Sequence, residues 1–327
     1  MTGGPEWESR PPAEPPPSGR VPMRVGTILE VGVRILRRHW ALLLGLSLLF
    51  AGPGALLTAA TGIRVNEVAL DIFPGISEGI IEEGMVITDD QLARITGALV
   101  GYVIAALVAG VLASIGALGF SAVVAADYHG RRIQMGEVLR ICLSRAPAAL
   151  AFMLATSLVV IGLVLGGVVV ILLVLSLLPG ASGGAGGPGA FAALVVVVIM
   201  VIGVTYLTMR WAPAFPAMVN EGLGAREALA RSWHLSGDNV WRIFFIVAFG
   251  AVAAALMATV LSQILGVLIL GLLAPALGLD DLIAQSIALA AGTVLLAALV
   301  PVLTAVLYFD LRTRRDFPAA SPPSPSR

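Results

Sequence analysis

The chain has 327 residues, 58% hydrophobic and 12% charged, with 20 basic and 20 acidic residues. A soluble domain carries about 25% charged residues, so this chain lacks the polar groups to cover a globule in water. Zero net charge without a basic run argues against nucleic acid as a partner. The lone Cys142 and the scattered His39, His129 and His234 exclude an internal disulfide and a cysteine or HExxH metal site.

In chain order, residues 1–22 hold seven prolines and no apolar run. They read as a disordered tail and not as a signal peptide. Six apolar stretches follow, near 41–61, 95–125, 147–178, 191–217, 240–272 and 283–309. About 20 helical residues cross a bilayer core, so the expected fold is an all-α integral membrane protein with six transmembrane helices. Residues 317–327 read as a second disordered tail. Thr88-Asp-Asp-Gln91 has the form of a capping box opening the second span. Gly237 is placed to stop a helix, and Asp238 or Asn239 to cap the fifth span.

The links alternate in charge. Loop 62–94 is acidic, link 179–190 is glycine-rich, and the turn near 273–282 holds Asp280 and Asp281. Of the 20 arginines, only Arg64 and Arg94 fall on that side. The positive-inside rule then places both termini in the cytoplasm of a cell carrying the protein as a multi-pass plasma-membrane protein.

A short amphipathic stretch precedes each odd-numbered span: Thr27 to Arg38, Gly136 to Arg145 and Gly224 to Leu235. Their apolar and charged faces suit a helix lying in the membrane interface. An acid followed by arginine ends each even-numbered span: Asp127 with Arg131 and Arg132, Glu221 with Arg226, and Asp310 with Arg312. The chain therefore reads as three repeats of an interfacial helix plus two spans, with units near 23–133, 134–222 and 223–316 in one 23–316 membrane domain. Sites in such proteins tend to form between units.

Ala106, Gly110 and Ser114, with Ala105, Ala109 and Ala113 alongside, suit close helix packing in lipid. Pro213 and Pro216 end or kink the fourth span, and Pro301 kinks the sixth. Trp40, Trp211, Trp233 and Trp241 suit interfacial anchoring. Deep polar residues are few: Ser262, Gln263 and Thr304. No acid or histidine lies near a span centre, which counts against a proton-coupled pump and an intramembrane protease.

The stretch RWAPAFPAMVNEGLGAREALARSWHLSGDNVWR, Arg210 to Arg242, resembles a bacterial family, the membrane domain of glycerophosphoryl diester phosphodiesterase. VGTILEVGVRILRRHWALLLG and LYFDLRTRR are similar to it too, so the resemblance runs over roughly 22–316. The family takes its name from members fused to a soluble phosphodiesterase. With only a short Pro/Ser tail after residue 316, that catalytic domain is expected to be absent. The resemblance implies a membrane module and no hydrolysis.

The expected function is thus a non-enzymatic membrane module, with no cofactor and no catalytic or metal residues. It would bind membrane lipids or scaffold a membrane or cytoplasmic protein partner through an Arg-rich collar. The alternative is a transporter or channel for a lipid-like or small solute. The candidate polar cluster is Asp127, Arg210, Glu221, Arg231, Ser232, Trp233, Asp310 and Arg312, with Arg210 turned inward to pair with Glu221, Asp127 or Asp310, or else snorkelling at the interface. Arg34, Arg37 and Arg38 are the candidate lipid-headgroup contacts.

Overall fold

The computed structural model describes residues 23–72, 88–177 and 188–316. The two tails, the acidic positions Glu78, Glu82 and Glu83, and nearly all of the glycine-rich link lie outside the described residues.

The chain opens with α1, Val25–Arg38. Ile28, Gly32 and Ile35 recur at helical spacing and are buried, while Arg34, Arg37 and Arg38 face outward. The first span is α2 (Trp40–Leu46), a π turn (Ser47–Ala51) and α3 (Gly52–Ile72). Pro53, just past that turn, has no N–H to donate and crowds the carbonyl four residues back, which accounts for the widened turn. The second span is α4, Asp89–Tyr128. Its start is the expected capping box: Gln91 N–H donates to Thr88 Oγ1 at 3.3 Å, and Thr88 N–H donates to Gln91 Oε1 at 3.0 Å.

The third span is one helix, α5, Met135–Leu177, with Pro147 inside it. This corrects the expected second interfacial helix: Gly136 to Arg145 forms the opening turns of α5. Proline at 147 forgoes only the N–H bond toward residue 143, and the helix carries through it into the apolar run that follows.

The fourth span is α6, Pro188–Trp211. A two-residue turn at Ala212 and Pro213 leads to α7, Ala214–Glu221, which Gly222 ends at φ +70°. That left-handed geometry is the usual glycine helix stop. Next come α8 (Ala225–Ser236), a 3-10 turn (Gly237–Asn239) and α9 (Val240–Leu268). Gly237 keeps right-handed geometry, so it tightens the chain into the next helix and does not stop one. Neither Asp238 nor Asn239 is seen capping α9; Asn239 occupies the cap position without a side-chain bond.

A second π turn, Ile269–Leu273, precedes α10 (Ala274–Leu277), which contains Pro275. The sixth span divides into α11 (Asp281–Leu296) and α12 (Leu299–Asp316). Asp280 caps α11 by accepting from Leu282 N–H at 2.9 Å. Among the described residues there is no strand, and six helical stretches are long and apolar enough to cross a membrane.

The bundle has two ends of different character. At the arginine-bearing end, α12 runs through the middle and touches α1, α4, α7, α8 and α9. Val302 to Leu311 is buried throughout. Away from that end, α3 packs on α4 and α11, and α9 packs on α11. There, apolar side chains such as Leu154, Leu158, Ile199 and Val260 face outward. Helices can present such a surface to hydrocarbon because their backbone groups are satisfied internally.

Small residues set two close contacts. A Cβ on Gly54 would stand 2.8 Å from the Ala109 Cα, and one on Gly292 would stand 2.5 Å from the Ala258 carbonyl oxygen. Ser262 is buried at that second contact. The α4 stripe thus splits: Ala109 packs on Gly54, whereas Ala106, Gly110 and Ser114 line an open cavity.

Candidate functional site

The charged end is built from helix termini, and its groups sort into four sets. In the first, the Asp310 carboxylate is fully buried. It accepts from Met23 N–H at 2.6 Å and from Arg314 Nε at 3.0 Å, and lies 3.1 Å from Arg242. Arg314 and Arg242 also donate to the Met23 carbonyl, the former at 3.0 Å. The start of α1, the start of α9 and the end of α12 are tied together there.

In the second set, Glu221 at the end of α7 accepts from Tyr308 Oη at 2.6 Å and from Arg231 Nε at 2.9 and 3.0 Å. Arg231 reaches across α8 to Asp316 as well, with Nη1 donating to Oδ1 at 3.1 Å and Nη2 donating to Oδ2. Its flat five-donor fork is what allows one side chain to bridge two carboxylates. Arg312 stands at the margin, 3.7 Å from Asp316.

In the third set, Asp127 accepts from Arg38 at 3.1 Å and faces His39 Nε2 at 2.9 Å, joining the end of α4 to the end of α1. The fourth is Arg210. Its guanidinium lies 4.7 Å from the Trp233 ring and 5.3 Å from the Tyr206 ring. It donates to Tyr206 Oη at 2.8 and 3.0 Å and to the Trp233 carbonyl at 3.2 Å. Ser232, fully buried, donates to the Arg210 carbonyl at 2.6 Å.

The candidate residues are therefore brought to one layer but not into one cluster. The inward pairing of Arg210 with Glu221, Asp127 or Asp310 does not form, because all three carboxylates are filled by other arginines and the aromatic shelf of Tyr206 and Trp233 takes the cation. Nor do the acids pair with the arginines beside them in sequence. Asp127 is not with Arg131 or Arg132, Glu221 is not with Arg226, and Asp310 is not with Arg312. Asp310 and Arg312 are two apart on α12 and so do not face each other, whereas helices packed side by side bring distant charges together. Arg34 pairs with Glu30 at 2.9 Å on the outer face of α1, and Arg37 is exposed beside it.

Tyr308, Asp316, Arg242, Arg314 and Met23 were not among the sequence candidates. Spacing carried part of the signal: Tyr308, Arg312 and Asp316 share one face of α12, and Asp310 and Arg314 share another.

Two hollows adjoin this layer. A cavity of about 710 Å³ opens between α4, α5, the α6–α7 bend and α12. Ala212 at the turn before α7 lines it, as do Pro216 and Pro301 just past the two helix breaks. A smaller cleft of about 370 Å³ lies toward the charged end, walled by His129, Arg131, Ile133 and Asn220.

Every carboxylate of the first three sets is engaged by cations from another helix or the same one. The layer locks helix ends, and its acids are occupied in doing so. Among the described residues no three His, Cys, Asp or Glu side chains gather to hold a metal ion.

Residues 190–311 match the family model described as the membrane domain of glycerophosphoryl diester phosphodiesterase. The matched membrane domain runs from α6 through most of α12. It contains Arg210, Glu221, RSWHL and Asp310, but neither α1 nor Asp127. It is a shorter stretch than the 22–316 read from the sequence, and it is the family's membrane region, not its catalytic one. With six apolar spans, the chain is a multi-pass membrane protein. No curated protein and no solved structure matches the chain.

Proposed function

We propose that the protein is a non-enzymatic membrane module that binds anionic lipid headgroups at an arginine-rich cytoplasmic face. The observation that carries this is α1. Its apolar face, Ile28 and Ile35, is buried against the bundle, while Arg34, Arg37 and Arg38 point outward next to the exposed Trp40, with Arg34 and Arg38 in solvent-facing pairs with Glu30 and Asp127 that a headgroup can exchange. That is the arrangement of an interfacial anchor with a cationic rim.

A threefold plan with both termini cytoplasmic is supported by a recurring contact. Arg38 holds Asp127, Arg145 donates to the Gly222 carbonyl at 2.8 Å, and Arg242 holds Asp310. Arg38 ends α1, Arg145 lies in the opening turns of α5 and Arg242 in the first turn of α9, and each holds the end of the second span of its own unit, within 23–133, 134–222 and 223–316. Met23 bound to Asp310 puts both ends of the described chain at one face. With most arginines there, that face is the cytoplasmic one by the positive-inside rule.

Each arginine near an anionic surface is worth about 1 kcal/mol. Replacing Arg34, Arg37 and Arg38 with glutamine is expected to weaken phosphatidylglycerol binding roughly a hundredfold, the equivalent of ~3 kcal/mol. Native mass spectrometry of the purified protein with phosphatidylglycerol and phosphatidylethanolamine measures this. An unchanged preference between the two lipids would sink the reading. The transport alternative draws less support, because the large cavity is walled mainly by apolar side chains, with a few hydroxyls and no charged group for a polar solute to bind.

A further inference from the structure

We infer that the 710 Å³ cavity between α4, α5, the α6–α7 bend and α12 holds an acyl chain of a phospholipid from the surrounding bilayer, with the lipid phosphate at the cleft of His129 and Arg131. This rests on the lipid-binding reading above and gives it an internal site separate from α1.

The chemistry of the lining selects the occupant. Its walls are aliphatic and aromatic side chains with a few hydroxyls. Five of those seven hydroxyls bond back to their own helices, and Tyr102 and Ser157 are the other two. Ser114 donates to the Gly110 carbonyl at 2.7 Å, Ser121 to Ala117 at 2.8 Å, Thr156 to Phe152 at 2.9 Å, Thr208 to Val204 at 2.8 Å and Thr304 to Val300 at 2.8 Å. Such back-bonding leaves the hydroxyls little capacity to hold a polar solute. An apolar chain loses nothing by entering, and the volume falls in the roughly 300–1,000 Å³ range of ligand sites.

The shape selects it too. Along α4 the lining runs from Tyr102 to Ser121, a rise of about 28 Å at about 1.5 Å per residue. That is close to the roughly 30 Å depth of the hydrocarbon core. The cavity also reaches inward to Val300, Pro301 and Thr304 of α12, deeper than a lipid lying against the outside of the bundle.

The headgroup position follows from charge. Ser121, Ala125 and His129 are spaced by four on α4, so the face that lines the cavity continues directly into the cleft. Arg131 stands there with one of its five donors on Glu137 at 3.2 Å, in a solvent-exposed pair that is easily exchanged. His129 Nδ1 faces the Ala125 carbonyl at 2.7 Å, which leaves Nε2 as the ring's other polar atom. Asn220 Nδ2 donates to the Pro216 carbonyl at 2.7 Å on the opposite wall. A phosphate at this cleft meets cationic donors while its chain enters apolar walls.

The test uses the full chain, reconstituted in bilayers of phosphatidylethanolamine and a phosphatidylglycerol carrying a diazirine at the end of one acyl chain. The protein is exchanged into detergent to strip loosely held lipid, irradiated, and its adducts mapped. Adducts at Gly110, Met153 or Thr156 are expected; adducts confined to outward residues such as Leu154 and Leu158 would overturn the proposal. Thr156→Phe, which fills the cavity, is expected to cut retained labelled lipid at least tenfold. Unchanged retention in a variant that elutes and melts like the parent also overturns it. If that variant does not fold, the adduct map of the unmodified protein decides alone. Arg131→Gln is expected to lower retention of phosphatidylglycerol, and equal retention would remove the headgroup from this cleft. The α1 triple variant is expected to keep the cavity adducts while losing headgroup preference at the surface. Loss of adducts in that variant but not in Thr156→Phe would assign the lipid to α1 instead.

Discussion

At the scale of single residues, the charged end separates two ways of keeping an arginine near a membrane. Asp310 is fully buried and is served by Arg242, Arg314 and the Met23 N–H. Removing one partner of a buried network leaves the others uncompensated, at a cost of about 3–5 kcal/mol. Arg210 instead lies on the faces of Trp233 and Tyr206, a partly exposed contact worth about 0.5–2 kcal/mol. Asp310→Ala is therefore expected to lower the melting temperature in detergent much more than Arg210→Leu, as followed by loss of the monodisperse peak on heating. Equal effects would mean that the buried network is not what holds these helix ends. The importance of Arg210, Glu221 and Asp310 was visible in the sequence as charges at the ends of apolar runs. Most of their partners were not, because Arg231, Arg242 and Trp233 come from other helices, whereas Arg314 and Tyr206 lie four residues away on the same one.

At the scale of elements, local chemistry set most boundaries. The Thr88–Gln91 box, the Asp280 cap and the glycine stop at Gly222 all act within a few residues, and the first was read in the sequence. The two π turns and the unbroken α5 were not, since a proline that widens a turn and one that a helix absorbs look alike in sequence. Close helix contacts depend on bare backbone. Gly54→Leu would press on Ala109, and Gly292→Leu on Ala258 and Ser262. Each is expected to destabilise the bundle by about 1–3 kcal/mol through overpacking, read from thermal unfolding in detergent. Gly97→Leu, where an added Cβ meets nothing within 4 Å, serves as the neutral control. A similar loss in that control would show that close contact with Ala109 and Ala258 is not what sets the cost.

At the scale of the whole molecule, the orientation of the bundle is testable directly. Cys142 is buried, so single cysteines can be introduced on a Cys142→Ala background. In intact cells, an impermeant maleimide is expected to reach a cysteine at Asp90 and to miss one at Arg37 or Arg226. Labelling of the last two from outside would invert the proposed topology. Composition and the spacing of apolar runs were enough to determine an all-helical, six-span membrane protein. The reason is physical: in hydrocarbon a spanning segment must satisfy its own backbone, so a run of about 20 apolar residues has few other ways to exist. What only the tertiary structure decided is which charge meets which, and where the helices stand apart. Those depend on the crossing of α12 with five other helices and on the helix breaks at Ala212–Pro213 and between α11 and α12. Neighbours in space there are far apart in the chain, as Met23 and Asp310 are, and no local pattern records their meeting.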